Sequence, residues 1–223
     1  MKIAIDGTAA SGKGTLARRL ANSLGCDYLD TGLLYRAIAL EASRHGMISL
    51  DDNFKEQFLK ENIEKSTIIK LTTIALGLAL PISESPDLRS QKISSLATIV
   101  ASFPEIRTAL VEQQRNFANS PPSKKGAVLD GRDIGSVILP EADFKFFIDA
   151  KPEIRAKRRF AELKDANSSQ TQEIILEDLN KRDRRDSTRK IAPLKRLSDA
   201  FFIDSSTLNA DEVLQIALNY ING

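Results

Sequence analysis

The sequence predicts an α/β protein built on a five-stranded parallel sheet flanked by helices. Five short apolar segments, at residues 2–6, 26–30, 127–130, 144–149 and 201–204, each end in an aspartate. Runs of this length, bounded by turn residues and alternating with helical patterns, mark strands buried on both faces. The first run leads directly into Gly7-Thr8-Ala9-Ala10-Ser11-Gly12-Lys13-Gly14-Thr15, a glycine-spaced turn that opens a helix. Hydrophobic residues make up 42% of the 223, enough for a sizeable core.

That turn has the form of a phosphate-binding loop: Gly7, four residues, then Gly12 and Lys13. Glycines let the chain curl so that several N–H groups converge on phosphate oxygens. The helix that continues through Leu16-Ala17-Arg18-Arg19-Leu20-Ala21 adds its positive end, and Lys13 adds a mobile cation. Gly14 follows the lysine, so the hydroxyl arrives one place later, at Thr15. With a strand before it and a helix after it, the loop predicts a nucleotide-binding P-loop NTPase fold.

The aspartates closing the strands are expected along the carboxyl edge of the sheet, where open α/β folds bind ligands. Asp149 and Asp204 are expected as helix caps. Two stretches break the alternation. Ile68-Ile69-Lys70-Leu71-Thr72-Thr73 is followed by Leu76, Leu78, Leu80 and Ile82 alternating with small residues. Gly77 and Pro81 argue against a central strand, so an exposed hairpin or small antiparallel sheet is expected in an inserted subdomain. Further on, Asn167-Ser168-Ser169-Gln170 interrupts two charged helices and predicts a mobile lid hinged in that loop. The expected organisation is core at 1–57, insert at 58–97, core at 98–154, lid region at 155–186 and core at 187–223.

Composition excludes several classes of function. A net charge of +2 and a pI near 8.6 are only mildly basic, and 6% aromatic content is low for a nucleic-acid platform. Cys26 and His45 are the only residues of their kinds, which excludes an internal disulfide, a Cys/His zinc site and most triads. A strand starting at residue 2 leaves no room for a signal peptide, and no apolar run is long enough to span a bilayer. A cytoplasmic monomer acting on small molecules, with neither nucleic acid nor membrane as partner, is expected.

The arginines are the next clue. Arg36 follows the second strand and Arg132 the third, while Arg182, Arg185 and Arg189 fall at i, i+3 and i+7 and are expected on one helix face. Arg155, Arg158 and Arg159 repeat the pattern on an earlier helix. By itself residues 178–190 would be a solvated helix laced by charge pairs. Two phosphate-bearing substrates change this, because they bring together roughly six negative charges that converging cations must offset. No general base is evident. A phosphate monoester acceptor needs none, since its second pKa is about 6 and its oxygen is already anionic.

The motifs together resemble the bacterial-type cytidylate kinases, nearly end to end. The resemblance runs through the phosphate loop, Leu29-Asp30-Thr31-Gly32 to Tyr35-Arg36, Ile106-Arg107 and Asp130-Gly131-Arg132-Asp133-Ile134-Gly135. It continues through Arg182-Asp183, Arg185-Asp186, Arg189, Ala192-Pro193-Leu194 and Asp204-Ser205-Ser206-Thr207-Leu208. It implies ATP-dependent phosphorylation of CMP and dCMP with Mg²⁺, the insert serving as the monophosphate-binding subdomain. On that resemblance Gly7, Thr8, Ala9, Ala10, Ser11, Gly12, Lys13, Gly14, Thr15 and Arg158 bind ATP. Thr31, Arg36, Arg132 and Arg189 hold the CMP phosphate, Arg182 and Asp186 meet the sugar, and Thr98, Arg107 and Asp133 read the cytosine. Lys13, Arg132, Arg158 and Arg189 are the expected catalytic set. Mg²⁺ is expected to ride on ATP and water, with Thr15 as a protein oxygen. A carboxylate beside a guanidinium suits cytosine, whose amino group donates where uracil would accept. Thr8 stands where a proline is usual, and Thr31 and Thr98 where serines are usual.

Overall fold

A computed structural model describes residues 1–49, 51, 63–83, 85–165 and 171–223. The five expected strands are present as β1 (Lys2–Gly7), β2 (Asp27–Asp30), β3 (Ala127–Gly131), β4 (Phe144–Asp149) and β5 (Phe201–Asp204). They form one sheet in the order β2-β3-β1-β4-β5. β1 pairs in parallel with β3 and β4, and β4 pairs in parallel with β5. Central β1 is paired on both edges, and its successive residues Ile3, Ala4 and Ile5, which point to alternate faces, are all buried, which is why its sequence is a continuous apolar run. The carboxyl ends of β1, β3 and β4 sit side by side, with Asp6 opposite Gly131 and Gly7 opposite Ile148.

The helices are α1 (Lys13–Leu24), α2 (Thr31–Arg44), α3 (Lys65–Leu76), α4 (Pro86–Arg89), α5 (Gln91–Val100), α6 (Pro104–Asn119), α7 (Pro152–Asp165), α8 (Gln172–Thr188) and α9 (Ala210–Asn222). A π-type turn spans Ile134–Ile138. None of the described helices is long and apolar enough to cross a membrane.

The chain divides into two compact units, one of Met1–Leu29 with Ala118–Gly223 and the other Asp30–Phe117. In the first, α1 buries Leu16, Ala17, Leu20 and Ala21, spaced to make one face, against Ile3, Ile5, Phe146 and Ile148 of the sheet. Helix α9 starts from an Asn209–Glu212 capping box. Its Tyr220 stacks on Phe201 with centroids 4.2 Å apart.

The second unit overturns one expectation. No strand occurs among its described residues between 63 and 83; α3 occupies most of the segment read as a hairpin. Leu71 and Ala75, four apart and both fully buried, pack with Leu34, Ile38, Leu96 and Leu110 in this unit's core. The helical period thus governs, and the Thr72 and Thr73 hydroxyls bond back to Ile68 and Ile69 carbonyls. The helix stops at Gly77. Leu78, Leu80 and Ile82 then lean on the same core as an irregular chain. Their alternation reflects side-chain burial without a sheet. Residues 167–170, expected as the lid loop, lie outside the described residues.

Candidate active site

The phosphate loop leaves β1 at Gly7, where a Cβ would lie 2.1 Å from the Ile148 carbonyl oxygen, so no side chain fits. Gly12, at φ 89, turns the chain into α1. Ala10 is also left-handed, at φ 58, without being glycine. Thr8 donates its hydroxyl to Asp149 at 2.5 Å. The stiffness a proline would give at this position through φ is supplied by a bond to the end of β4. Asp149 also accepts the Ala150 amide at 2.8 Å. It anchors the loop and caps no helix, contrary to expectation. Asp204 likewise closes a local turn on Ser206, while α9 is capped by Asn209.

Lys13 lies 3.9 Å from Asp130 at the end of β3, and the Tyr28 hydroxyl donates to the same carboxylate at 2.9 Å. Ala9 gives its amide to Asp183 and its carbonyl to Arg155, so both its peptide groups are held by α7 and α8. Ser11 is fully buried and its hydroxyl has no hydrogen-bond partner among the described residues. Thr15 is exposed on the first turn of α1. No group of three or more metal-ligating side chains occurs among the described residues. The Thr15 hydroxyl is an oxygen donor of the kind Mg²⁺ takes beside waters and phosphate oxygens.

Beside the loop, the first unit gathers Arg132, Asp133, Arg182, Asp186 and Arg189. Arg132 donates from Nε to Asp186 at 2.8 Å. Burial works to raise the Asp186 carboxyl. The charges of Arg132 and Arg182, the bond from Arg132 and then the charge of Arg189 outweigh it and hold the group below the usual carboxylate range. Burial would lower the Arg132 guanidinium, but Asp186 reverses this and pushes it up. Both shifts favour the ionised pair. Arg189 lies 3.4 Å from Asp133 and donates from Nε to the Ala192 carbonyl at 2.6 Å. It has left the helix: α8 ends at Thr188, and Leu194 returns to bond the Asp186 carbonyl. The common face expected for Arg182, Arg185 and Arg189 therefore does not form, and Arg185 is exposed.

Asp6 accepts the amides of Ile134 and Gly135, both at 2.8 Å, and so fixes the backbone directly after Asp133. Burial pushes its carboxyl up to about 6, against the lowering effect of those two bonds. Arg158 donates to the Ser205 carbonyl at 2.6 Å and to the Ser205 hydroxyl, which in turn donates to the Ser11 carbonyl. Arg155, expected on one helix face with Arg158 and Arg159, is buried.

The second unit carries Thr31, Arg36, Thr98 and Arg107. Thr31 is buried at the start of α2, and Arg36 donates to the Leu88 carbonyl at 3.5 Å. Thr98 bonds back to Ser94 within α5. Arg107 is only 5% exposed. It donates to the Ala101 carbonyl at 3.1 Å and stands 5.6 Å from the Tyr35 ring centroid. Arg89 approaches Asp30 at 3.7 Å, a cation near the strand end that spacing did not single out. Asp6, Arg155 and Asp183 were also missed. A carboxylate inside an apolar strand was the available signal for Asp6.

A parallel sheet with this loop at its central strand, beside buried arginine–aspartate pairs, defines an ATP-dependent nucleoside monophosphate kinase of the P-loop NTPase fold. Residues 3–223 match the family model described as cytidylate kinase, and the chain belongs to that family. It is 44% identical to a cytidylate kinase of Paramagnetospirillum magneticum, over 98% of this chain and 96% of that one. It is 45% identical to a cytidylate kinase of Azorhizobium caulinodans, with the same coverage of 98% and 96%. An uncharacterised protein from Eubacterium ventriosum, 14% identical, shares the fold with a TM-score of 0.55 over 100% of this chain and 99% of its own.

Proposed function

We propose that the chain transfers the γ-phosphoryl group of ATP to CMP or dCMP, giving ADP and CDP or dCDP, with the residue roles set out here. The observation that carries the roles is the Arg132–Asp186 pair beside the phosphate loop, its side chains 13% and 11% exposed. A guanidinium held through Nε by Asp186 and through Nη1 by the Gly131 carbonyl keeps its orientation, and its remaining N–H groups can meet phosphate. In this reading Arg132, Arg189, Arg36 and Thr31 hold the acceptor phosphate. Arg182 and Asp186 engage the sugar, and Thr98, Arg107 and Asp133 read the base.

The phosphate loop, Lys13 and Arg158 serve the donor. An acceptor phosphate oxygen, already anionic, forms the new P–O bond as the bond to the β–γ bridging oxygen breaks, and ADP departs with that charge. No proton need be removed first. Lys13, freed from Asp130 by the incoming phosphates, follows the charge as it develops on the transferring oxygens. Bound at the triphosphate, with Thr15 as a protein oxygen, Mg²⁺ would neutralise charge on the β- and γ-oxygens. We take the enzyme to act as a monomer in the cytoplasm, with a lid formed by the α7–α8 region closing over both substrates.

A panel of nucleoside monophosphates in a coupled ADP-release assay tests the reading. CMP and dCMP are expected to turn over fastest. A preference for AMP or UMP would remove the cytidylate assignment and leave the P-loop kinase standing.

A further inference from the structure

Two helices outside the phosphate loop grip one of its residues by both peptide groups. Asp183 on α8 accepts the Ala9 amide at 3.1 Å, and Arg155 on α7 donates to the Ala9 carbonyl at 3.0 Å. The two side chains also bind each other, Arg155 Nη1 to Asp183 Oδ2 at 2.5 Å, so the three groups close a ring. Arg155 is 4% exposed, and its Nε donates at 2.9 Å to the Ala150 carbonyl just beyond β4, which fixes the guanidinium plane. Ala9 packs inside this frame against Ala156, Ile175 and Leu179.

A charge pair this enclosed returns little net stability over apolar filling of the same space. What it can specify is geometry. The next residue, Ala10, sits at φ 58, a left-handed state that is unfavourable for an L side chain and must be held by its surroundings. Helix α8 also carries Asp186, three residues after Asp183, bound to Arg132 at 2.8 Å. One turn of helix thus grips the donor loop with one carboxylate and an acceptor-side arginine with the next.

We propose that Asp183 and Arg155 form a positioning pair that sets the donor phosphate loop from α7 and α8, independently of the acceptor-side Arg132–Asp186 pair. The inference rests on the kinase reading above. The pair touches no reacting atom; it acts through Ala9. Its removal should therefore loosen the loop while leaving the Arg132–Asp186 pair in place.

The test uses Asp183→Asn and Arg155→Lys, singly and together, with KM and kcat for both substrates and thermal unfolding midpoints. Asparagine turns an amide donor toward Arg155, and lysine cannot serve three acceptors in one plane. Each single variant should lower kcat/KM for ATP by about 10- to 100-fold, the scale of a misplaced catalytic group. KM for CMP should move by less than about 2-fold. The double variant should lose no more than the worse single one, because the groups act as a unit. Unchanged ATP constants, losses that add in the double variant, or a KM for CMP that rises as much as the KM for ATP would overturn the proposal. The wild-type Ala9 amide gives a readout independent of any variant's folding. It should exchange with solvent as slowly as the amides of β1, and exchange at open-loop rates would also overturn the proposal. If the wild type phosphorylates no monophosphate, the kinase reading fails, while Ala9 exchange still decides whether the grip exists.

Discussion

In the proposed reading, Lys13 and Asp133 are the side chains on which the chemistry and the base choice turn. Lys13→Ala should cut kcat by on the order of 10²–10³-fold with the fold intact, because its charge is needed chiefly as negative charge grows on transferring oxygens. Steady-state kinetics beside a thermal melt check this, and near-normal kcat removes the loop assignment. Asp133→Ala should lower kcat/KM for CMP far more than for UMP and leave the KM for ATP nearly unchanged. Because Asp133 also lies 3.4 Å from Arg189, Asp133→Asn is the control that keeps the shape while losing the charge. Equal losses with CMP and UMP would show that Asp133 orders the site generally. Lys13 stood out in the sequence through the phosphate-loop motif and Arg132 through its place after a strand end, where α/β folds place ligands, whereas Asp133 stood out only through the family resemblance. Arg155 and Asp183 did not stand out. Helical spacing groups residues on a face but cannot say which face is buried, and only the surrounding Ala9, Ala156 and Leu179 decide it.

Among the elements, the strands were legible because their apolar runs stop at aspartates, and each observed strand begins within one residue of its expected start. Helix α3 was obscured because Leu76, Leu78, Leu80 and Ile82 alternate just past its end. Its helical state is testable. Thr72→Pro removes a backbone N–H donor from the helix and sets its ring against the carbonyl of the preceding turn, and should cost about 3 kcal/mol or more in urea unfolding. A change near zero would argue for the extended state. Leu71→Ala, at a fully buried site, should cost about 2–5 kcal/mol. For α7 and α8, hydrogen exchange should slow when ATP and CMP analogues are bound together, as closure excludes water. Unchanged exchange there removes the lid from the mechanism.

For the molecule as a whole, stability should respond to pH through two opposed carboxylates. Asp6, raised to about 6 in the fold from 3.8, binds its proton more tightly when folded. Its contribution therefore favours the fold below about 4 and is lost as pH rises through about 6. Asp186, held below the usual range, contributes above that range and loses its contribution as pH falls through its folded value. Urea unfolding of the wild type and Asp6→Asn between about pH 4 and 7 separates the two: the variant should lack the decline in stability with rising pH. Matching slopes would refute the raised Asp6. The chain contains no tryptophan and three tyrosines, so its intrinsic ultraviolet emission comes from three identifiable rings. Tyr28 bonds the carboxylate beside Lys13, Tyr35 lies against Arg107, and Tyr220 is stacked on Phe201. A single Tyr220→Phe change silences the ring held in the aromatic stack. What remains is a label-free optical reporter with one ring in each compact unit, Tyr28 at the carboxylate beside Lys13 and Tyr35 against Arg107.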